Sequence, residues 1–184
     1  MSKNFILIPA RLDSKRCAQK VLRCVGGKTI LKHVIERCKC SARADEIIVV
    51  TDSQEIQEAA TICDTQVFRT GKANSGTQRC AQILKYLNNP DSIVVVQADY
   101  PLIDPVHHID ALFNDMIGGE PNHIYTLAYE TKNYSDFVDP NNVKVTFTNF
   151  WNALYFSRSP IPYQTIPDFI KAYIHIGIYG FPRS

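Results

Sequence analysis

A short basic loop follows the first apolar run of the chain. Residues 5–8 are all apolar, and Pro9 ends the run. Four cations occur within the next residues, namely Arg11, Lys15, Arg16 and Lys20. An apolar run this short favours a strand over a helix, and ligands of open α/β sheets bind beyond the carboxyl ends of the strands. The loop therefore has the charge and the position to bind phosphates, although charge alone would equally describe a solvated surface patch.

The hydrophobic pattern predicts that strands and helices alternate through the first 120 residues. The predicted strands are 5–8, 46–50, 65–68 and 92–97. The predicted helices are 29–41, 75–87 and a helix from an N-cap at Ser53 to about Cys63. The 92–97 run is almost continuously apolar, which is typical of a central parallel strand covered on both faces. The alternation predicts a doubly wound α/β sheet.

After Pro121 the pattern changes to strands with little helix between them. The predicted strands are 123–129, 143–148, 153–156 and 173–181. We therefore expect one domain with a nucleotide-binding half at 1–120 and a β-rich substrate half at 121–184. The adjacent pair His107 and His108 is interpreted as surface.

Composition limits the classes of function. The 20 basic and 18 acidic residues leave a formal net charge of +2, far from the strong positive field of a general nucleic-acid binder. The six cysteines, at 17, 24, 38, 40, 63 and 80, form no CxxC pair, which favours reduced structural thiols over a zinc site. The polar N-terminus and the short apolar runs predict neither a signal peptide nor a membrane span. We expect a soluble cytoplasmic protein.

Two common nucleotide motifs do not fit. The dinucleotide fingerprint GxGxxG is absent, which argues against hydride transfer. Gly27-Lys28-Thr29 resembles the end of a P-loop, but Leu22 stands where that motif needs its first glycine. We interpret this segment as a turn before a helix.

Seven sequence blocks occur in a fixed order along the chain. They are Pro9-Ala10-Arg11 with Ser14, Arg16 and Lys20; Thr51-Asp52; Ser75-Gly76-Thr77-Gln78-Arg79; Gln97-Ala98-Asp99-Tyr100-Pro101; Asn142-Val143-Lys144-Val145; 153–158; and His175-Ile176-Gly177-Ile178-Tyr179-Gly180. Together these blocks resemble the bacterial CMP-Kdo synthetases, the 3-deoxy-manno-octulosonate (Kdo) cytidylyltransferases. These are relatives of the CMP-sialic acid synthetases, and the resemblance spans essentially the whole chain. The resemblance implies an αβα nucleotide-diphospho-sugar transferase-like fold with a mixed sheet.

The resemblance also implies a reaction. The anomeric hydroxyl of Kdo attacks the α-phosphate of CTP and gives CMP-Kdo and diphosphate, for lipopolysaccharide biosynthesis. Cations and a hard divalent metal such as Mg²⁺ would screen the triphosphate. Arg11 and Lys20 are the implied catalytic cations, and Asp99 is the implied catalytic metal ligand. Without the resemblance, Asp99 could equally be a turn or helix-cap aspartate before Pro101.

The implied binding residues fall into two sets. Those for CTP are Ala10, Arg11, Ser14, Arg16, Lys20, Ser75, Arg79 and Gln97, and those for the sugar acid are Gln97, Arg158, His175 and Tyr179. An arginine can bind a carboxylate through two parallel hydrogen bonds. Taken alone, Ser75 could be only a helix cap, His175 an ordinary strand histidine and Tyr179 an ordinary packed aromatic.

Several positions depart from the family pattern. Gln19 replaces a glycine before the loop lysine, Tyr100 replaces a glutamate, and Ala73 replaces a histidine. The chain ends soon after the 175–180 block, so we expect a C-terminal truncation that lacks a second metal carboxylate. Two function classes stay open: a cytidylyltransferase for Kdo or a related acidic sugar (amino-Kdo or sialic acid), and a catalytically silent CTP-binding relative. A homodimer is expected if the retained strands suffice.

Overall fold

The computed structural model describes residues 3–12, 19–120, 122–163 and 171–183. Its strands are β1 (Asn4–Ala10), β2 (Cys24–Val25), β3 (Lys28–Thr29), β4 (Glu46–Thr51), β5 (Gln66–Arg69), β6 (Ser92–Val95), β7 (Tyr125–Thr131), β8 (Lys144–Phe147), β9 (Ala153–Ser157) and β10 (Ala172–Pro182). Its α-helices are α1 (Ile30–Cys38), α2 (Gln54–Ile62), α3 (Gly76–Ala81), α4 (Ala111–Met116) and α5 (Tyr134–Val138). Short 3₁₀ turns occur at Lys20–Leu22 and Leu84–Tyr86, and a π-helical segment, Pro105–Asp110, leads into α4.

The structure divides into two compact units. The first contains the described residues up to Tyr125 and returns at Ile178, and the second is Thr126–Gly177. The last residues of β10 therefore belong to the first unit. The expected division into halves at 120 stays a prediction.

The first unit is built on parallel strands in the order β5-β4-β1-β6, with the end of β10 antiparallel beside β6. Strand β1 is central, and its Leu7 pairs with Ile48 on one side and Val95 on the other. Its side chains from Phe5 to Ile8 are at most 1% exposed, because helices cover the sheet. This confirms the expected α/β class with a mixed sheet.

Hydroxyl side chains start the first three helices. Thr29, Ser53 and Ser75 each accept a hydrogen bond from the backbone N–H three residues later, which satisfies one of the donors that a helix start leaves unpaired. The expected N-cap at Ser53 is thus confirmed. Cys80 and Ile83 pack in one core cluster with Phe5 and Leu7, so the segment that begins with α3 is held against β1.

Two expectations about helices need correction. The third helix ends at Ala81 rather than near Leu87, and a 3₁₀ turn follows it. The sequence reading also omitted the helical segment 105–116, where Asp104 caps the start and Pro105 takes the first position. Burial of Ile109, Leu112 and Phe113 stabilises this segment.

The histidine pair that was expected at the surface is divided. His107 is exposed, but His108 is half-buried and stacks on Tyr100 with ring centroids 6.1 Å apart. Its Nδ1 accepts the backbone N–H of Asp104 at 3.1 Å, so the ring is held as an acceptor at that nitrogen. Burial lowers the pKa of His108.

The second unit is a small antiparallel arrangement in which β8 lies between β9 and the start of β10. The side chain of Lys144 is fully buried, and its ammonium group donates to the carbonyls of Asp139, Asn142 and Arg158 at 2.7–2.9 Å. Burial lowers the pKa of Lys144. Three carbonyl acceptors satisfy the three donors of an ammonium group, so Lys144 holds the backbone of Arg158 in place.

The cysteines described by the structure are unpaired thiols. Cys38 and Cys80 are buried, and burial raises the pKa of each to about 12. Cys24, Cys40 and Cys63 are also free thiols. These five agree with the expected reduced cysteines, and Cys17 lies outside the described residues. No helix in the described ranges has the length and apolar character needed to cross a membrane.

The backbone of Gln19 adopts a left-handed conformation, with φ of 51° and ψ of 32°. Its turn starts the 3₁₀ segment that presents Lys20, and the carbonyl of Gln19 accepts the N–H of Leu22 at 2.9 Å. A side chain other than glycine costs about 1–2 kcal/mol in this conformation. The chain therefore carries local strain immediately before Lys20.

Replacing Gln19 by glycine should relieve that strain. We expect Gln19→Gly to raise the free energy of unfolding by about 0.5–1 kcal/mol, since the added flexibility of the unfolded chain offsets part of the gain. Denaturant unfolding followed by circular dichroism measures it. The matched control Gln57→Gly, inside α2, should lower stability by a similar amount. A loss of stability in Gln19→Gly would contradict the strain.

Candidate functional site

A cavity of about 280 Å³ opens in the first unit, beyond the carboxyl ends of β1 and β6. Its lining residues come from the ends of these strands, the turn at Lys20 and the start of α3. They are Pro9, Ala10, Arg11, Lys20, Val21, Ala73, Ser75, Gly76, Arg79, Gln97, Ala98 and Asp99. All the CTP-binding residues predicted from the sequence that the structure describes are in this set. Ser14 and Arg16 lie outside the described residues.

The parallel pairing of β1 and β6 explains why distant residues meet here. Both strands run in the same direction. Val96, the first residue beyond β6, continues the pairing, because its N–H donates to the carbonyl of Leu7 at 3.0 Å. Arg11 follows the last residue of β1, and Gln97 and Asp99 follow β6. The carboxyl ends of parallel strands lie at one edge of a sheet, which is where ligands of such sheets bind.

Lys20 and Asp99 form an ion pair at this edge. The ammonium group of Lys20 donates directly to Oδ2 of Asp99. Both side chains are only partly covered, with 33% and 40% of their surface exposed, so an entering ligand can reach them. Arg11 is exposed and has no hydrogen bond or ion pair with any residue in the described part of the chain. One cation of the site is thus free and the other is engaged with the carboxylate.

The start of α3 forms the uncharged part of the cavity. The hydroxyl of Ser75 accepts the N–H of Gln78 at 3.1 Å, so its role as a helix cap is real. A cap uses the oxygen as acceptor and leaves the hydroxyl hydrogen available to donate. Gly76 lies so close to Pro9 and Gln97 that an added Cβ would sit 3.0 Å from Cγ of Pro9 and 3.1 Å from Oε1 of Gln97. A larger residue at 76 would push the amide of Gln97 out of place.

Arg79 is 4% exposed, and its guanidinium group is largely used by the protein itself. Nη2 donates to Oδ2 of Asp52 at 2.8 Å, and Nη1 donates to Oγ1 of Thr70 at 2.8 Å. Arg79 is one of the residues that line the cavity, and its expected contact with CTP stays a prediction. Its engagement with Asp52 nevertheless makes it a support of the cavity wall more than a free donor to a ligand.

The residues expected to bind the sugar acid are divided between the two units. Gln97 and Tyr179 belong to the first unit, where Tyr179 pairs with Val95 of β6. Arg158 and His175 belong to the second unit. Burial raises the pKa of the Tyr179 phenol.

The two sugar-site candidates of the second unit have different surroundings. Arg158 is exposed, and its Nη1 donates to the carbonyl of Pro140 at 2.7 Å. The Nε2 atom of His175 lies 2.8 Å from Oγ1 of Thr126, and its ring packs edge-on to Phe156. Burial lowers the pKa of His175 and so favours the neutral ring.

Asp99 is the one carboxylate among the described residues that line the cavity, and this limits which metals the cavity could accept. In the described residues, no group of three or more His, Cys, Asp or Glu side chains is arranged around a common point. A zinc or calcium site needs such a set. Mg²⁺ instead keeps several waters and is commonly held by one or two carboxylates together with substrate phosphates. Asp99 beside the cations Arg11 and Lys20 has the charges for that arrangement.

Sequence reasoning missed residues that shape this site without reacting in it. Asp52 was noted as part of a block at the end of β4, but nothing in the sequence linked it to Arg79. Val21 and Ala98 line the cavity as small or apolar residues, and such residues carry no chemical signature. Hydrogen-bond partners across 27 residues, as for Asp52 and Arg79, require the tertiary structure.

Comparisons with known proteins agree on one family. The cytidylyltransferase family matches residues 5–184. The 8-amino-3,8-dideoxy-manno-octulosonate cytidylyltransferase of Shewanella pealeana is 38% identical over 97% of this chain and 74% of its own length. The 3-deoxy-manno-octulosonate cytidylyltransferase of Chlorobium limicola is 37% identical over 96% of this chain and 72% of its own length.

A solved structure supports the same assignment. It is a CMP:2-keto-3-deoxy-manno-octonic acid synthetase complexed with CTP, which superposes with a TM-score of 0.89 and 32% sequence identity over 99% of this chain and 75% of its own. Similarity in sequence and in fold therefore covers nearly every residue of this chain. The chain belongs to the cytidylyltransferase family, and within it to the CMP-Kdo synthetases.

Proposed function

We propose that this protein transfers CMP from CTP to Kdo, giving CMP-Kdo and diphosphate for lipopolysaccharide biosynthesis. The observation that carries the proposal is the convergence of Arg11, Lys20 and Asp99 at one cavity beyond the ends of β1 and β6. Two cations and one carboxylate suit a triphosphate and a divalent metal. The family membership and the CTP in the related structure support the same substrate.

The triphosphate would exchange partners with the Lys20–Asp99 pair. A triphosphate carries more negative charge than one carboxylate, so it competes for the ammonium group of Lys20, with Arg11 as a second cation. Asp99 then loses its partner at the moment when phosphate oxygens arrive beside it. Asp99 would hold Mg²⁺ together with those oxygens, and the bound metal would screen the α-phosphate and lower the pKa of the attacking hydroxyl.

The uncharged lining would receive the nucleoside. Ser75 retains a hydroxyl hydrogen that can donate to an acceptor on the cytosine edge, and the amide of Gln97 can both donate and accept. Close packing of Gly76 against Pro9 and Gln97 fixes the position of that amide. Binding of this end orients the α-phosphate for attack, which is the main protein contribution in phosphoryl transfer.

The candidates for contacts to the sugar acid are Gln97 and Tyr179 in the first unit and Arg158 and His175 in the second. The guanidinium of Arg158 donates to Pro140 through Nη1 alone among the contacts described, so its other N–H groups can bind a carboxylate. An imidazole such as that of His175 and a phenol such as that of Tyr179 are groups of the kind that hydrogen-bond to hydroxyls. We place Kdo first, and 8-amino-3,8-dideoxy-manno-octulosonate second because related cytidylyltransferases carry that name. Sialic acid is a more distant acceptor within the same proposal.

The alternative from another class is a CTP-binding protein without turnover. Tyr100 stands where the family has a glutamate beside the metal carboxylate, and a single carboxylate positions a metal less rigidly than two. Binding without transfer would then be the function. Under either proposal we place the protein in the cytoplasm.

Diphosphate release separates the two. With CTP, Mg²⁺ and Kdo, we expect the purified chain to release diphosphate, at a higher kcat/KM than with the 8-amino sugar. Asp99→Asn keeps the shape of the side chain but removes its charge, and should lower kcat by at least about 100-fold, which is typical for a group that stabilises the transition state. A coupled diphosphate assay measures both.

The diphosphate assay has a matched control variant and two outcomes that would contradict the proposal. Asp115→Asn changes a carboxylate of α4 outside the cavity and should leave kcat unchanged. Calorimetric CTP binding by the folded chain without diphosphate release would favour the silent relative. Faster turnover with the 8-amino sugar would replace Kdo as the preferred acceptor.

We also propose that the chain forms a homodimer through the β8–β9 hairpin of the second unit. Large apolar side chains there are unusually exposed, and their values are 86% for Phe150, 70% for Trp151, 66% for Leu154 and 62% for Tyr155. Several exposed apolar side chains on one hairpin favour an interaction site there. A self-complementary patch on one chain favours a twofold dimer.

A charge placed in this patch should dissociate the dimer. We expect Leu154→Lys to convert a dimer into a monomer, since an ammonium group buried between two copies would lack a partner. Sedimentation velocity at several protein concentrations measures the change. Ile62→Lys, at an 82% exposed position on α2, is the control and should stay dimeric. A wild-type chain that is monomeric at all concentrations would contradict the proposal.

A further inference from the structure

The segment Thr70–Asn74, which we call the wall loop, connects β5 with α3. It contains Ala73, which lines the cavity, and it is followed directly by Ser75, which also lines the cavity. The first residue of the wall loop continues the sheet, because the N–H of Thr70 donates to the carbonyl of Thr51 at 2.9 Å. Beyond Thr70 the described backbone hydrogen bonds supply no further ladder contact to the loop. The position of its later residues therefore depends on side chains.

Gln82 makes two hydrogen bonds to the middle of the wall loop, and Nη1 of Arg79 donates to the carbonyl of Gly71 at 3.4 Å. Oε1 of Gln82 accepts the N–H of Gly71 at 3.1 Å, and its Nε2 donates to the carbonyl of Lys72 at 3.1 Å. One amide thus satisfies a backbone donor and a backbone acceptor on successive residues, as a neighbouring strand would. Because both the oxygen and the nitrogen of this amide are hydrogen-bonded, they fix the orientation of the loop backbone as well as its distance from Gln82.

Arg79 acts beside Gln82 on the same loop. The two residues are three apart, a spacing that places them on one side of a helical turn. Arg79 holds Thr70 through Oγ1 at 2.8 Å and is itself fixed by Asp52. Arg79 thus holds the start of the wall loop, and Gln82 holds the two residues that precede Ala73.

Gln82 is outside the cavity, since it is absent from the lining residues, whereas Ala73 and Ser75 are part of the lining. We propose that Gln82 is a positioning residue for nucleoside binding: it acts through the wall loop and touches neither the substrate nor the reacting atoms. The inference rests on the proposed function, because it takes CTP as the ligand of this cavity.

The division of charge in the cavity makes the proposal specific. Three uncharged residues line the cavity on the side of the wall loop and the start of α3. They are Ala73, Ser75 and Gly76. The accessible cations are Arg11 and Lys20, which come from the end of β1 and the turn after it. Phosphates go to the cations, so a displaced wall loop should weaken binding of the nucleoside and spare binding of a bare polyphosphate.

Two substitutions separate the two hydrogen bonds of Gln82. Gln82→Ala removes both. Gln82→Glu keeps an acceptor for the N–H of Gly71 but has no donor for the carbonyl of Lys72, because a carboxylate only accepts. The backbone N–H of Gly71 should therefore exchange with solvent faster in Gln82→Ala than in the wild type, and remain protected in Gln82→Glu.

The experiment is calorimetric titration of each full-length variant with CTP, CMP and inorganic tripolyphosphate. We expect Gln82→Ala to raise the Kd for CTP and CMP about threefold to tenfold, the loss typical of one or two neutral hydrogen bonds. The Kd for tripolyphosphate should stay within about twofold of the wild-type value. Gln54→Ala, which removes an exposed glutamine at the start of α2 that pairs with Arg69 and Glu58, is the control and should change none of the three.

The outcomes distinguish this inference from the proposed function. Unchanged CTP affinity in Gln82→Ala, or an equal loss for tripolyphosphate, would overturn the positioning role. CTP binding by the wild type without diphosphate release would defeat the proposed transfer and leave the role of Gln82 measurable. Amide exchange of Gly71 needs no ligand, so unchanged exchange in a folded Gln82→Ala variant would overturn the structural basis directly.

Discussion

The parallel pairing of β1 with β6 is the constraint on which the site depends. Leu7 opposite Val95 sets where each strand ends, and the loops that follow carry Arg11 on one side and Asp99 on the other. A shift by one residue would turn every side chain of β1 to the other face of the sheet, and burial of Phe5 and Leu7 against Cys80 and Ile83 opposes such a shift. Core packing thus determines the geometry of groups that take no part in the core.

At this edge of the sheet, one cation is paired with a carboxylate and another is not. Lys20 pairs with Asp99, whereas Arg11 faces open space. A solvent-exposed ion pair contributes little to stability, so under the proposed function a triphosphate would take Lys20 at small cost and release Asp99 for a metal. The strained backbone of Gln19, directly before Lys20, is consistent with a turn shaped for ligand binding rather than for stability.

Sequence patterns were sufficient where a signal is local or periodic. The alternation of apolar runs predicted the α/β class, Ser53 was recognised as a helix cap, and the loop after the strand at 5–8 was placed beyond the carboxyl end of that strand. The Asp52 partner of Arg79 and the contacts of Gln82 could not be predicted, because they join residues 10 to 27 positions apart through tertiary structure. The helix at 105–116 was missed because Pro105 and the two histidines obscure its periodicity, whereas burial of Leu112 and Phe113 stabilises it. The division of the expected sugar residues between two units has no signature in the sequence at all.

The most direct test of the account is a crystal structure of this chain with CTP and Mg²⁺. The account predicts the triphosphate on Arg11 and Lys20, the ammonium group of Lys20 separated from Asp99, and Asp99 within metal-binding distance of an ion that also contacts the phosphates. The nucleoside should lie against Ser75 and Gly76. A triphosphate bound elsewhere, or bound here while the Lys20–Asp99 pair persists and Asp99 contacts no metal, would contradict it.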